Sequence, residues 1–352
     1  MKKSLLLWVM LTLVFGTILA GCSSKKQQTS DGLDTELNLF NWSEYLPQSV
    51  LDKFKEKYGV KVNYTTYSSN EEMLAKLSAG AAGFDLAVST DYMVDIMKKQ
   101  NLLQEIDMSS IPNIKNIGDE FKNLSFDPGN KYTVPYMWGD AVIAVNSDKV
   151  KEPIKGYKDL WNPAFKNSIV VLDDQRAIIG AALKKNGHSM NEKDEKILEQ
   201  AKQDLKQLAP NIKAYDSDSP KTLLINGEAS IGLVWGAEAS LAMKENPKIL
   251  VVLPEEGMYI WQDNFVIPKG APHKKTAEVF INFILDPEIS AEISKAFPYA
   301  NPNVEAKKLM DKSVLEDVAV YPPNEEVAKG EHLQDLGDVT KIYDRIWSEV
   351  KQ

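Results

Sequence analysis

For most of its 352 residues the chain alternates between short apolar, β-branched runs and stretches whose apolar positions recur at helical spacing. That order constrains the fold more than any other feature. A sheet must be covered where it is apolar, and helices that follow strands one by one can cover it only if the sheet is largely parallel, which predicts an α/β protein. "LNLFNW" from Leu37, "VKVNYTTY" from Val60, "DLAVST" from Asp85, "AVIAVN" from Ala141, "SIVVLDD" from Ser168, "IKAYDS" from Ile212, "ASIGLVW" from Ala229 and "ILVVLP" from Ile249 predict strands. A helix is expected around Ser49 to Tyr58, with Val50, Leu51 and Phe54 on one face and Gly59 as its stop. Ser69 and Glu72 predict a capping box for a second helix carrying Met73, Leu74 and Leu77.

The first residues follow a different logic. Lys2 and Lys3 precede an uncharged apolar run, Leu5 to Leu19, that ends in Ala20 and Gly21, the pattern of a signal peptide over residues 1–21 and too short to span hydrocarbon. "LAGC", Leu19 to Cys22, resembles the bacterial lipobox, which implies cleavage before Cys22 and lipidation of it. Cys22 is the only cysteine, so its expected role is anchorage to the cell membrane. Residues 22–35 are polar and are expected to form a flexible tether. The remaining body of about 315 residues exceeds the usual size of one core. Two units are therefore expected. With 41 basic against 50 acidic residues, a formal charge of -9, the chain is a poor partner for nucleic acid.

In open parallel sheets ligands bind beyond the carboxyl ends of the strands. Trp42, Glu44 and Tyr45 follow the first predicted strand, Thr90, Asp91 and Tyr92 follow another, Asp173 and Asp174 close "SIVVLDD", Ser217 closes "IKAYDS", and Trp235 closes "ASIGLVW". "YIWQDNFVIP" again sets Tyr259 and Trp261 beside Asp263. Indole faces attract ammonium groups and carboxylates hydrogen-bond to them, so this edge suits an organic cation. Each member also has a plainer reading. Tryptophans are usually core residues, and Trp161 and Trp347 are expected to pack. Asp174 is equally able to cap a helix. Tyr136 and Trp138 are candidates for strand packing.

Catalysis has little support. His188, His273 and His332 are scattered without metal-ligand spacing and are expected on solvated surface; no nucleophile elbow, phosphate loop or dinucleotide fingerprint occurs. Glu255 and Glu256 are the one acid pair considered for a glycoside hydrolase. No cofactor and no metal are expected.

"FNWSEYLP", "FDLAVSTDYMVDIMKK", "SFDPGNKYTVPYMWG", "DLWNPAFKNSIVVLDDQR", "INGEASIGLVW", "YIWQDNFVIP" and "YANPN" together resemble the polyamine-binding subunit of spermidine/putrescine ABC transporters, in order and from about residue 36 onward. The resemblance implies a two-lobed periplasmic-binding-protein-like fold of type II, each lobe a mixed, mainly parallel sheet flanked by helices, with ligand in the interlobe cleft. Residues 36–140 and 264–352 would form one lobe and 141–263 the other, hinged near Asp140–Val142 and Asp263–Phe265. It implies an aromatic box of Trp42, Tyr45, Tyr92, Trp235, Trp261 and Tyr299. Asp263 would tether one ammonium and Glu44 with Asp174 the other, with Ser43, Thr90 and Ser217 as smaller contacts. The implied partners are a polyamine and an ABC permease with its cytoplasmic ATPase, and the implied state a lipid-anchored extracytoplasmic monomer. Two positions depart from the family pattern. Ala177 replaces an acid and Leu333 a glutamine, which favours putrescine or a broad preference over spermidine. A receptor for another solute, such as a sugar stacked on the same tryptophans, and an exported hydrolase remain the alternatives.

Overall fold

The computed structural model describes residues 28–80 and 83–351; the expected signal peptide, Cys22 and the first part of the tether lie outside them. Among the described residues ten strands form one continuous, mixed sheet: β1 (Glu36–Trp42), β2 (Lys61–Tyr67), β3 (Leu86–Thr90), β4 (Thr133–Asn146), β5 (Ile169–Val171), β6 (Ile212–Tyr215), β7 (Ile231–Trp235), β8 (Ile249–Val252), β9 (Tyr259–Val266) and β10 (Glu331–His332). The order along the main path is β2-β1-β3-β9-β4-β7-β5-β6, with β8 on β4 and β10 on β9.

The parallel pairs expected from strand–helix alternation lie on the two flanks, β2-β1-β3 on one side and β7-β5-β6 on the other. Between them run β4 and β9, antiparallel to each other and to their other main-path neighbours. Both serve two neighbourhoods. β9 pairs with β3 through Asp263–Val266 and with β4 along its whole length, and β4 turns from β9 to β7 at Ala141. The sheet therefore has two halves joined by two strands.

Local signals explain the flanking helices. Gln48–Tyr58 buries Val50, Leu51 and Phe54, and ends at Gly59 with φ 70°, a left-handed position where a side chain is strained. Asn70–Ser78 begins at Ser69, whose hydroxyl accepts the Glu72 N–H at 3.2 Å, a cap worth about 1 kcal/mol. The reciprocal arm of the expected box is displaced by one residue, since the Glu72 carboxylate accepts from the Ser68 N–H at 3.0 Å.

The carboxy-terminal chain packs on both halves of the sheet. Residues after 264 first pack on the β1–β3 half, where Phe280 and Phe283 meet Phe54. The chain then returns to the other half: Ser240 donates to Asp317 at 2.6 Å, and the last helix, Thr340–Val350, docks on Gln175–Lys185 and Glu195–Leu208. Tyr343 is fully buried there and donates to the Glu192 carbonyl at 2.9 Å. Trp347, expected to pack, meets Tyr215 with ring centroids 5.5 Å apart.

Candidate ligand-binding site

Between the two halves, a cleft is lined by Trp42, Ser43, Tyr45, Asn70, Thr90, Asp174, Ser217, Asp218, Trp235, Tyr259, Trp261, Asp263 and Tyr299. Ten of these thirteen are among the twelve residues singled out from the sequence. Strand ends bring most of them here. Trp42 closes β1, Thr90 closes β3, Trp235 closes β7, and Asp174 and Ser217 lie just past β5 and β6. β9 adds Tyr259, Trp261 and Asp263 from one face, since alternate residues of a strand point the same way.

The rings form a connected wall. Tyr45 packs edge-on to Tyr299 at 4.8 Å, Tyr299 meets Trp261 at 5.6 Å, and Trp261 meets Trp235 at 6.0 Å, the last pair at 82°. Trp42 leans on Tyr67 at 4.5 Å. Gly139 makes the wall possible, because it faces Trp261 in register across β4 and β9, and a Cβ there would stand 2.6 Å from the indole Cζ2. Tyr299 is held by its neighbour: the Trp138 N–H donates to the Ala300 carbonyl at 2.9 Å.

Asp263 is the charged centre of this wall. It is buried, and it stands opposite Thr90 in the antiparallel β3–β9 register. The Thr90 hydroxyl donates to Oδ1 at 2.6 Å and the Tyr45 hydroxyl to Oδ2 at 2.9 Å. Burial pushes the carboxyl up to about 7, although both hydrogen bonds pull the other way; the Trp42 indole N–H adds a weaker pull without reaching hydrogen-bonding distance. Asp174 approaches from the other half. It lines the cavity and also caps Gln175–Lys185, accepting the Ala177 N–H at 2.9 Å. Burial raises its pKa too, against the pull of that backbone N–H. Ser217 Oγ is buried without a protein partner and offers a further acceptor.

Two expected contacts are placed elsewhere. Glu44 sits at φ 47° with its carboxylate turned 2.5 Å onto Lys221 Nζ, outside the cavity lining. Tyr92 lies behind Thr90; its hydroxyl donates to Glu71 at 3.1 Å and its ring lies under the Arg176 guanidinium at 5.3 Å. Asn70, Asp218 and Tyr259 are the lining residues left out of the sequence-based set. Tyr259 was within reach of strand periodicity, two residues before Trp261. Asn70 was not, because it enters through a hydrogen bond from its side-chain N–H to Thr90 Oγ1 at 3.0 Å. The two departures from the family pattern also lie off the cavity lining: Ala177 is buried in the capped turn, and Leu333 lines a separate cavity beside His332 and Asp91.

The remaining expectations resolve locally. Glu256 accepts the backbone N–H groups of Tyr157 and Lys158 at 3.0 and 3.2 Å, so it holds a turn, and Glu255 is exposed. Trp161 packs as expected and donates its indole N–H to the Asp204 carbonyl at 2.7 Å. One histidine departs from solvated surface: His273 Nδ1 lies 3.0 Å from buried Asp85. His332 is exposed as expected, and its Nδ1 stands 2.7 Å from Asp91, which raises its pKa against the opposing effect of desolvation. Among the described residues no group of three or more His, Cys, Asp or Glu side chains is placed to hold a metal ion.

Comparison with known proteins agrees with this geometry. The family model described as "Bacterial extracellular solute-binding protein" matches residues 49–323. The spermidine/putrescine-binding periplasmic protein of Salmonella typhimurium is 38% identical over 353 aligned residues, covering 100% of this chain and 99% of that one. Among solved structures, a putative spermidine/putrescine ABC transporter protein from Listeria monocytogenes superposes with a TM-score of 0.88 at 34% identity, over 91% of this chain and 99% of that one. The substrate-binding protein PotD of Streptococcus pneumoniae gives 0.76 at 37% identity, over 90% and 99%. The fold is thus that of periplasmic-binding-protein-like ABC substrate-binding proteins. A match that runs through both halves of the sheet and both connecting strands is a match of the whole architecture, and the chain belongs to the bacterial extracellular solute-binding protein family.

Proposed function

We propose that the chain is an extracytoplasmic receptor that closes on a linear polyamine and delivers it to an ABC importer. The observation that carries the reading is Asp263, a carboxylate buried inside a wall of rings and facing a cleft to which the other half contributes a second acid, Asp174. A sugar would need neutral hydrogen-bonding partners here. An organic dication is matched at both ends, its methylenes lying against Trp42, Trp235 and Trp261. Each ammonium–ring contact contributes about 0.5–2 kcal/mol and each hydrogen bond to a charged group about 1.5–3. Micromolar affinity corresponds to about 8 kcal/mol, so two tethered ends and a few rings suffice after ordering costs.

The relatives named for spermidine and putrescine binding support the same ligand class. In this reading the two lobes are the two halves of the sheet, the hinge lies where β4 and β9 change partners, and the protein performs no chemistry on its ligand. Cys22 carries a lipid that holds a monomeric receptor at the membrane, where permease subunits and their ATPase receive the ligand.

Intrinsic tryptophan fluorescence of the body from residue 28, titrated with putrescine, spermidine and maltose, tests the reading. Saturable changes with the amines and none with maltose are expected. A response to maltose alone, or to none of the three, would overturn it.

A further inference from the structure

One ion cluster beside the cleft is unexplained by a simple box. Lys221, at the start of the helix Lys221–Ile225, places Nζ 2.5 Å from Glu44, 3.0 Å from both carboxylate oxygens of Glu238, and 3.2 Å from Ser219 Oγ. An ammonium has three protons to give, so these acceptors saturate it. Glu44 stands between two cavity-lining residues, Ser43 and Tyr45, and Glu238 is three residues beyond Trp235 in the helix Gly236–Glu245. Both carboxylates act electrostatically on the Tyr299 phenol, a ring of the wall, and help raise its pKa after the larger effect of burial. The cluster therefore stands at the edge of the aromatic wall, and one of its acids comes from each half.

Taking the polyamine reading as given, we propose that Lys221 is a built-in ammonium that occupies the acids a longer polyamine would use, so that the cleft selects a linear diamine over a triamine. The accounting of acids leads there. Asp218 is exposed, so water screens its charge, and its two oxygens already accept from the Ser43 and Ser68 hydroxyls at 2.6 and 3.2 Å. Asp263 and Asp174 remain, one from each half, and two ammoniums satisfy them. A third would have to reach Glu44 or Glu238, and it would meet the positive charge of Lys221 at each. Glu238 is 3% exposed, so without Lys221 it is a buried acid in need of a cation.

Isothermal titration of wild type, Lys221→Ala, Lys221→Gln and Lys221→Arg with putrescine and spermidine tests this. Wild type is expected to favour putrescine. Loss of the lysine charge, in either variant, should shift the spermidine-to-putrescine affinity ratio toward spermidine by about tenfold or more, the scale of one charge-assisted hydrogen bond. Lys221→Arg should keep the wild-type ratio. The Lys221–Glu44 pair also joins the two halves, but losing that link weakens both ligands alike and leaves the ratio unmoved. An unchanged ratio in Lys221→Ala and Lys221→Gln, or a wild type that favours spermidine, overturns the proposal while leaving the receptor reading intact. Failure of wild type to bind either amine would instead remove the reading on which it rests.

Discussion

At the scale of single residues, Asp263 concentrates the chemistry. Burial pushes its carboxyl up to about 7, well above the ordinary carboxylate range, because the charged form is costly to keep dry. The sign for stability follows: the neutral acid favours the folded state below about pH 4, and this contribution is lost as pH rises through about 7. Ligand binding runs the opposite way. Only the carboxylate attracts an ammonium, and alkylamines stay charged to about pH 10, so affinity should rise with pH and level off above about 7. Below that, it should fall about tenfold per pH unit, with a proton released on binding. Titrations in two buffers of different ionisation enthalpy measure that proton directly. Burial also lifts Glu71 and Glu238 to about 7, so the assignment needs Asp263→Asn, which should weaken binding several-fold or more and flatten the profile. A slope that survives in Asp263→Asn would place the titration elsewhere. In the sequence, Asp263 stands out as the acid beside Tyr259 and Trp261, but its place in the site, like that of Tyr299, comes chiefly from family resemblance. Neither ends a parallel strand: Asp263 is inside an antiparallel one, and Tyr299 stands on a loop fixed by a bond from Trp138 to Ala300.

At the scale of elements, the helix Gln175–Lys185 shows why two readings of one residue need not compete. Asp174 turns one oxygen to the Ala177 N–H, and the same side chain faces the cleft from a helix N-terminus, where a negative charge is favoured. The two roles separate by substitution. Asp174→Asn keeps an acceptor for the cap but removes the charge, so thermal unfolding should move little while polyamine affinity falls. Asp174→Ala loses both, and should cost about 1 kcal/mol of stability as well. If the asparagine variant binds as tightly as wild type, Asp174 is a cap alone. Elements of this kind were legible in the sequence because their signals are local: Gly59 after a periodic run, Ser69 before one, β-branched runs between turns. β9 was quoted as a ring-and-acid motif without being read as a strand. Its pairing is set by long-range partners on both sides, and no local period distinguishes a strand shared by two halves of a sheet. The two-residue β10, paired at Tyr259 and Ile260, is too short to leave a pattern at all.

At the scale of the whole molecule, β4 and β9 change partners and so join the two halves of one continuous sheet. The route of the last fifty residues was not visible, because the face of Thr340–Val350 that packs on the second half has the same helical period whichever half it meets. The polar contacts across the mouth of the cleft are Ser43 and Ser68 to Asp218 and Glu44 to Lys221, while behind them the buried Tyr92 ring meets Arg176. Exposed ion pairs and hydroxyl bonds of this kind contribute about 0–1 kcal/mol each, too little to keep the halves together without help. A ligand touching Asp263 on one side and Asp174 on the other adds several kcal/mol to the closed form alone, and an equilibrium moves only by such a difference. The free protein should therefore be more open in solution than when loaded. Small-angle scattering should give a smaller radius of gyration with putrescine and no change with maltose. At a hundred times its dissociation constant the amine adds about 2.7 kcal/mol of stability, so the melting temperature should rise by roughly 4 °C. A melting rise with an unchanged radius would mean that the two halves are already locked together, and that these polar contacts hold the cleft shut by themselves.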